Sequence, residues 1–94
     1  MSNIQTIILP ERFDFYYHKN FTRDYQQILT LKDVNHIILD FSRVLYLDSS
    51  ALGMMVLLYR KAQEKGISTS VKGAHGQAEE ILTIANMQKI YIIE

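Results

Sequence analysis

Apolar and polar residues follow one another along this chain in a succession of short patterns. "NIQTIIL" (3–9) is β-prone, and Pro10 ends it or marks it as an edge. "RFDFYY" reads as a short extended stretch turning into a loop. Phe21, Tyr25, Ile28 and Leu29 then recur at i, i+4, i+7 and i+8. That spacing gathers them on one helical face over about 18–31, with Lys19, Arg23, Gln26 and Gln27 elsewhere. In "HIILDF" (36–41), Ile37, Leu39 and Phe41 point to one side of a strand and Ile38 and Asp40 to the other. So nearly continuous an apolar run suits a strand inside a sheet.

"SRVLYLD" leads into a second helix over about 50–65, stopped by Gly66. "ISTSVKG" (67–73) reads as a strand. "QAEEILTIAN" (77–86) reads as a third helix, with Ala78, Ile81, Leu82 and Ala85 on one face and Asn86 as a left-handed terminator. "KIYIIE" (89–94) is a final strand. Alternating strands and helices predict an α/β domain with a mostly parallel sheet of four to five strands and right-handed crossovers. Neither linker nor repeat interrupts the 94 residues, so residues 1–94 are read as one small domain.

Composition narrows the partners. Lys+Arg and Asp+Glu number ten each, without a clustered basic face, which argues against nucleic acid. Cysteine is absent, so thiolate catalysis and cysteine-ligated zinc are excluded. His18, His36 and His75 lack zinc-ligand spacing, and no metal or cofactor is expected. The N-terminus lacks the pattern of a signal peptide, and no run approaches the ~20 apolar residues of a bilayer span. A cytoplasmic protein without direct membrane insertion is the expectation.

The chemistry concentrates in "LDSSALGMMVLL" (47–58). Asp48, Ser49 and Ser50 lie where a loop enters the second helix. Asp and Ser are preferred caps, because their oxygens accept hydrogen bonds from unpaired helix N–H groups. The same N–H groups and their partial positive charge also tolerate an anion, so a phosphoryl group on a first-turn serine would leave the fold nearly intact. At an interface the balance differs: desolvating an unpaired anion there costs several kcal/mol. Two enzyme patterns are missing. The hydrolase elbow G-x-S-x-G lacks its first glycine, and no phosphate-cradling G-x-x-x-x-G-K-[ST] is present. Asp14, Asp40 and Asp48 are each explained by turn and cap roles.

"IILDFSRVLYLDSSALGMMVLLYRKAQEKG" resembles the core of a STAS domain, the module of bacterial anti-sigma-factor antagonists and sulfate transporter tails. Ile37 to Asp40 match the family's strand, and Asp48, Ser49, Ser50, Leu52 and Gly53 match its Asp-Ser-Ser-Gly-Leu-Gly motif. Ala51 stands where the motif has its first glycine, which favours helix and adds a methyl group beside the serines. "VKGAHGQAEEILTIANMQKIYIIE" resembles the family's next strand, helix and last strand. Asp14 stands at an acidic position before the first helix.

The resemblance implies a sheet with helices mainly on one face, and a domain that is a binding surface and a kinase substrate, not an enzyme. Ser49 is the implied phosphorylation site. The implied partners are an anti-sigma factor acting as serine kinase, which binds the unphosphorylated form, and a serine phosphatase that restores it. Asp14, Asp48, Ser49, Ser50, Ala51, Gly53, Met54, Leu57 and Leu58 are the expected partner-binding residues. The alternative is an accessory subunit of a membrane transporter complex, in which the serines only cap. On the second helix, Leu52, Met55, Val56, Tyr59 and Ala62 form a stripe expected to face the sheet. Met54, Leu57 and Leu58 fall off it, either as a wide core face or as a docking patch. Few residues precede Pro10, so the family's opening hairpin is expected to be shortened and apolar surface uncovered, which would suit a homodimer.

Overall fold

The computed structural model describes residues 3–94; Met1 and Ser2, part of the expected domain, lie outside the described residues. The elements in chain order are β1 (Asn3–Ile8), β2 (Arg12–Phe13), α1 (His18–Thr30), β3 (Val34–Asp40), β4 (Tyr46–Leu47), α2 (Ser49–Glu64), β5 (Ser68–Lys72), α3 (Gly76–Ile84) and β6 (Ile92–Ile93). Short 3-10 turns at Phe15–Tyr17 and Met87–Lys89 precede α1 and β6.

The main sheet has the order β1-β3-β5-β6, and every neighbouring pair is parallel. Register puts Ile7, Leu39, Val71 and Ile93 in one row across it. Ile37, Leu39 and Phe41 of β3 and its continuation are wholly buried, with Ile7, Leu9 and Val71 beside them. Against this face pack Phe21, Tyr25 and Ile28 of α1, Met55, Leu58 and Ala62 of α2, and Ala78 and Leu82 of α3. The other face stays open: Ile4, Ile8 and Ile92 on it are each more than half exposed. The expected layer of helices on one face is therefore what the chain builds.

Two departures concern boundaries and rotation. The last strand is only Ile92–Ile93, because Met87–Lys89 winds as a 3-10 turn and Tyr91 is drawn into the core. There the Tyr91 hydroxyl donates to the main-chain carbonyl of Met55 at 2.7 Å. On α2 the buried face is Ala51, Met54, Met55, Leu58 and Ala62. Leu52, Val56 and Tyr59, expected at its centre, form a half-buried shoulder. Asn86 does take the left-handed conformation, with φ 61°.

Candidate functional site

The site is built by a second, smaller sheet. β2 and β4 run parallel, with Arg12 paired to Tyr46 and Phe13 to Leu47. Phe13 and Leu47 are buried, so both strands are anchored in the core. An aspartate follows each strand, and each aspartate starts a helical segment. The Asp14 Oδ1 accepts from the Tyr16 N–H at 3.0 Å and opens the 3-10 turn before α1. The Asp48 Oδ1 accepts from the Ala51 N–H at 3.0 Å and caps α2. Both aspartates have the extended backbone of an N-cap.

Ser49 is therefore the first helical residue and not the cap. Its side chain is exposed, and Ser50 is half buried. The first turn of α2 holds no acidic side chain of its own. Its N–H groups and the positive end of the helix dipole face the surface around Ser49.

Arg12 joins the two strands. Its Nε lies 3.4 Å from the Asp14 Oδ2, and its guanidinium stands 4.7 Å above the Tyr46 ring. Asp14 itself is buried, so it positions this corner and offers little surface. Asp40 serves the neighbouring turn: it accepts from the Ser42 N–H at 2.9 Å. That bond, a further one from the Ser42 side chain, and the nearby Lys72 and Arg43 charges hold its carboxyl below the ordinary value. Asp14, Asp40 and Asp48 thus each satisfy a main-chain N–H close by in sequence, as their turn and cap roles required. Gly73 closes the far side of this turn. Its φ is 78°, and a Cβ there would stand 3.2 Å from Ser42.

The structure sorts the expected partner-binding residues into two groups. Ser49, Gly53 and Leu57 are exposed and follow one another at i, i+4 and i+8 on the outer face of α2. Asp48 and Ser50 border them, half buried. Ala51 and Leu58 are wholly buried and Met54 nearly so. These three are corrected to core residues, because the helix turns them towards the sheet where a partner has no access. The inward Ala51 adds its methyl group to the core and none to the surface around Ser49.

Other surface residues on and beside the small sheet were not singled out from the sequence. Phe15 is 64% exposed, Tyr16 92% and Leu45 61%, with Tyr46 beside them. The parallel pairing of two dipeptide strands brings the turn carrying Phe15 and Tyr16 to the end of the small sheet where Ser49 follows β4, while Leu45 and Tyr46 lie at the start of β4. The aromatic run "RFDFYY" was the available signal. Which of its rings face outwards depends on a pairing that local pattern does not encode.

A family model described as the STAS domain matches residues 2–94. The chain belongs to the STAS domain family. A STAS-domain containing protein of Pseudomonas aeruginosa (strain UCBPP-PA14) is 32% identical over 88 residues, covering 94% of this chain and 85% of that protein. Among solved structures, the sulfate transporter family protein from Wolinella succinogenes superposes with a TM-score of 0.78 at 11% identity, over 92% of this chain and 69% of that one. The anti-sigma factor antagonist SpoIIAA is known in unphosphorylated and phosphorylated forms. The phosphorylated Bacillus protein superposes with a TM-score of 0.71 at 16% identity, over 95% of this chain and 80% of that one. These two likenesses establish the shared STAS fold. The STAS motif residues Asp48, Ser49 and Gly53 lie at the N-terminal end of α2.

Proposed function

We propose that this STAS domain is a phosphorylation-controlled interaction module acting as an anti-sigma-factor antagonist, with Ser49 as the modified residue. The observation that carries the reading is the division of labour at the start of α2. Asp48 caps the helix, so the exposed Ser49 hydroxyl is not needed for it. A phosphoryl group there adds about −1.5 to −2 charge units at a helix N-terminus, which the fold accommodates. On the same face of α2 lie Gly53 and Leu57, and on the small sheet and the turn after β2 the side chains of Phe15, Tyr16, Leu45 and Tyr46 are exposed. These residues suit a partner surface. Seating a phosphoserine against such a surface without a matching cation would cost several kcal/mol. Modification therefore releases the partner and leaves the domain folded.

The partner in this reading is an anti-sigma factor with serine kinase activity, and a serine phosphatase reverses the modification. The domain is a cytoplasmic substrate and ligand, without catalysis of its own. The test is incubation with the cognate kinase and ATP. One phosphate is expected, lost in Ser49→Ala and kept in Ser50→Ala; the opposite pattern overturns the site. Ser49→Asp is expected to bind the kinase at least ten-fold more weakly with an unchanged circular dichroism spectrum.

The second reading, an accessory subunit of a membrane transporter, finds support in the likeness to the Wolinella protein. It predicts co-purification with transporter subunits and no phosphate on the intact mass. No helix among the described residues is long and apolar enough to cross a membrane, so such a subunit would act from the surface.

A further inference from the structure

The outer edge of β1 is an unguarded pairing surface. β1 lies at the end of the sheet and pairs only with β3 among the described residues. The Leu9 N–H donates to the Asp40 carbonyl, towards β3. Along a strand, successive residues turn their main-chain N–H and C=O groups to alternate sides. Gln5 and Ile7 therefore also turn their main-chain groups to β3, and Ile4, Thr6 and Ile8 turn theirs outwards. Beside this edge runs a groove of about 480 Å³, walled by β1 on one side and by Asp24, Gln27 and Ile28 of α1 and the following Leu31 on the other.

Edge strands are ordinarily protected by charge, proline, a bulge or shortness. Asn3–Ile8 has no charged residue and no proline and is six residues long. Its only register shift lies at its start, between Asn3 and Ile4. The opposite edge, β6, is two residues and offers no comparable template. The formal net charge is zero, so little repulsion opposes self-association.

We propose that this edge pairs with the β1 edge of a second copy, antiparallel about a two-fold axis at Thr6, giving one continuous sheet across the dimer. The sequence around Thr6 is symmetric in its chemistry. Ile4 and Ile8 stand two residues to either side, so the axis sets Thr6 against Thr6 and Ile4 against Ile8 of the partner copy. These are the residues whose N–H and C=O groups point outwards, so the register forms about six main-chain hydrogen bonds in hydrogen-bonded pairs. The side chains of Ile4, Thr6 and Ile8 all lie on the open face of the sheet. Cross-strand Ile–Ile and Thr–Thr pairs therefore meet on that face across the seam between the copies. Leu31, half exposed at the rim of the groove, comes to lie near the new strand. Each copy has one such edge, so the two-fold closes the assembly and further copies are not recruited.

The protein has no cysteine, so Thr6→Cys is a clean reporter. A hydrogen-bonded antiparallel pair holds its Cα atoms about 5.5 Å apart, inside the disulfide range of about 4.4–6.8 Å. Mild oxidation of dilute protein is expected to give a covalent dimer from Thr6→Cys and at least ten-fold less from Gln77→Cys, on the exposed start of α3. Sedimentation velocity should show a concentration-dependent dimer for the unmodified chain and for Thr6→Val. Thr6→Lys places like charges opposite each other at the axis, and Thr6→Pro removes an outward donor while sparing the β3 ladder. Both should sediment as monomers with an unchanged circular dichroism spectrum. A chain monomeric at every concentration, a dimer that persists in Thr6→Lys, equal cross-linking at the two cysteine positions, or open-ended oligomers would each overturn the proposal.

Discussion

The Asp48 carboxylate accepts a hydrogen bond from the Ala51 N–H at 3.0 Å, three residues into α2. Two serines follow Asp48 directly, and either could have been the cap by residue type. The aspartate takes the role, and the first serine is left with an exposed hydroxyl at the positive end of a helix. Asp48→Ala should therefore lower stability by about 1 kcal/mol, and Asp48→Asn by much less. Ser49→Ala should change it by less than about 0.5 kcal/mol, as an exposed substitution that leaves the Asp48 cap bond in place. Urea denaturation of the three variants measures the contrast.

Leu57 and Leu58 are neighbours in sequence with opposite fates. Leu58 is wholly buried and Leu57 is 43% exposed. Leu58→Ala should cost about 2–5 kcal/mol by emptying core volume. Leu57→Ala should leave the unfolding midpoint nearly unchanged and, under the proposed function, weaken binding to the kinase. Paired denaturation and binding measurements check both halves.

Tyr91 ties the last strand to α2 through the Met55 carbonyl, and burial pushes its hydroxyl well above the ordinary tyrosine pKa. In the unfolded chain the group ionises near pH ~10. The folded state holds the proton longer, so this contribution is fully present below the unfolded value and is lost as pH rises above it. Tyr91→Phe should cost about 1 kcal/mol at neutral pH and make stability fall less steeply above pH ~10. Thermal denaturation across the alkaline range reads the slope.

Asp40 gives the acid counterpart. Its carboxyl is held below the ordinary value first by the Ser42 N–H, then by the Ser42 side chain, with Lys72 and Arg43 adding to the effect. The native state therefore binds fewer protons than the unfolded state through the carboxylate range. This contribution is present above the unfolded pKa and is lost as pH falls through the folded one. Asp40→Ala should be less stable than the parent at neutral pH, and the two should converge in acid. Because Asp40 is half-buried and its cationic neighbours Lys72 and Arg43 are exposed, the difference should be small and should shrink in salt.

Much of the fold was legible because it rests on local periodicity. The face Phe21, Tyr25, Ile28 located α1 within a residue, and Ile37, Leu39, Phe41 located the central strand. The breakers Gly66 and Asn86 lie at or just past the ends of α2 and α3, in left-handed conformation. The rotation of α2 was not legible. Its sequence is apolar on nearly every side from Ala51 to Tyr59, so spacing alone could not choose the inward face. "KIYIIE" has the pattern of a whole strand, but Tyr91 buries its ring and bonds Met55, and the paired segment is only two residues.

The sequence by itself determined the order of elements, the parallel α/β class and the place of Asp48 and Ser49 at a helix start. Those features depend on residues close together in the chain. Tertiary structure alone decided that Asp14 turns into a buried corner while Ser49 faces outwards. It also decided that Met54 and Leu58 fill the core while Leu57 does not, and that Arg12 reaches Tyr46. It left the six residues of β1 at an open edge. Each of these depends on strand pairing and on which way a helix is rolled against the sheet. Packing across the whole core sets both, and no window of local sequence contains it.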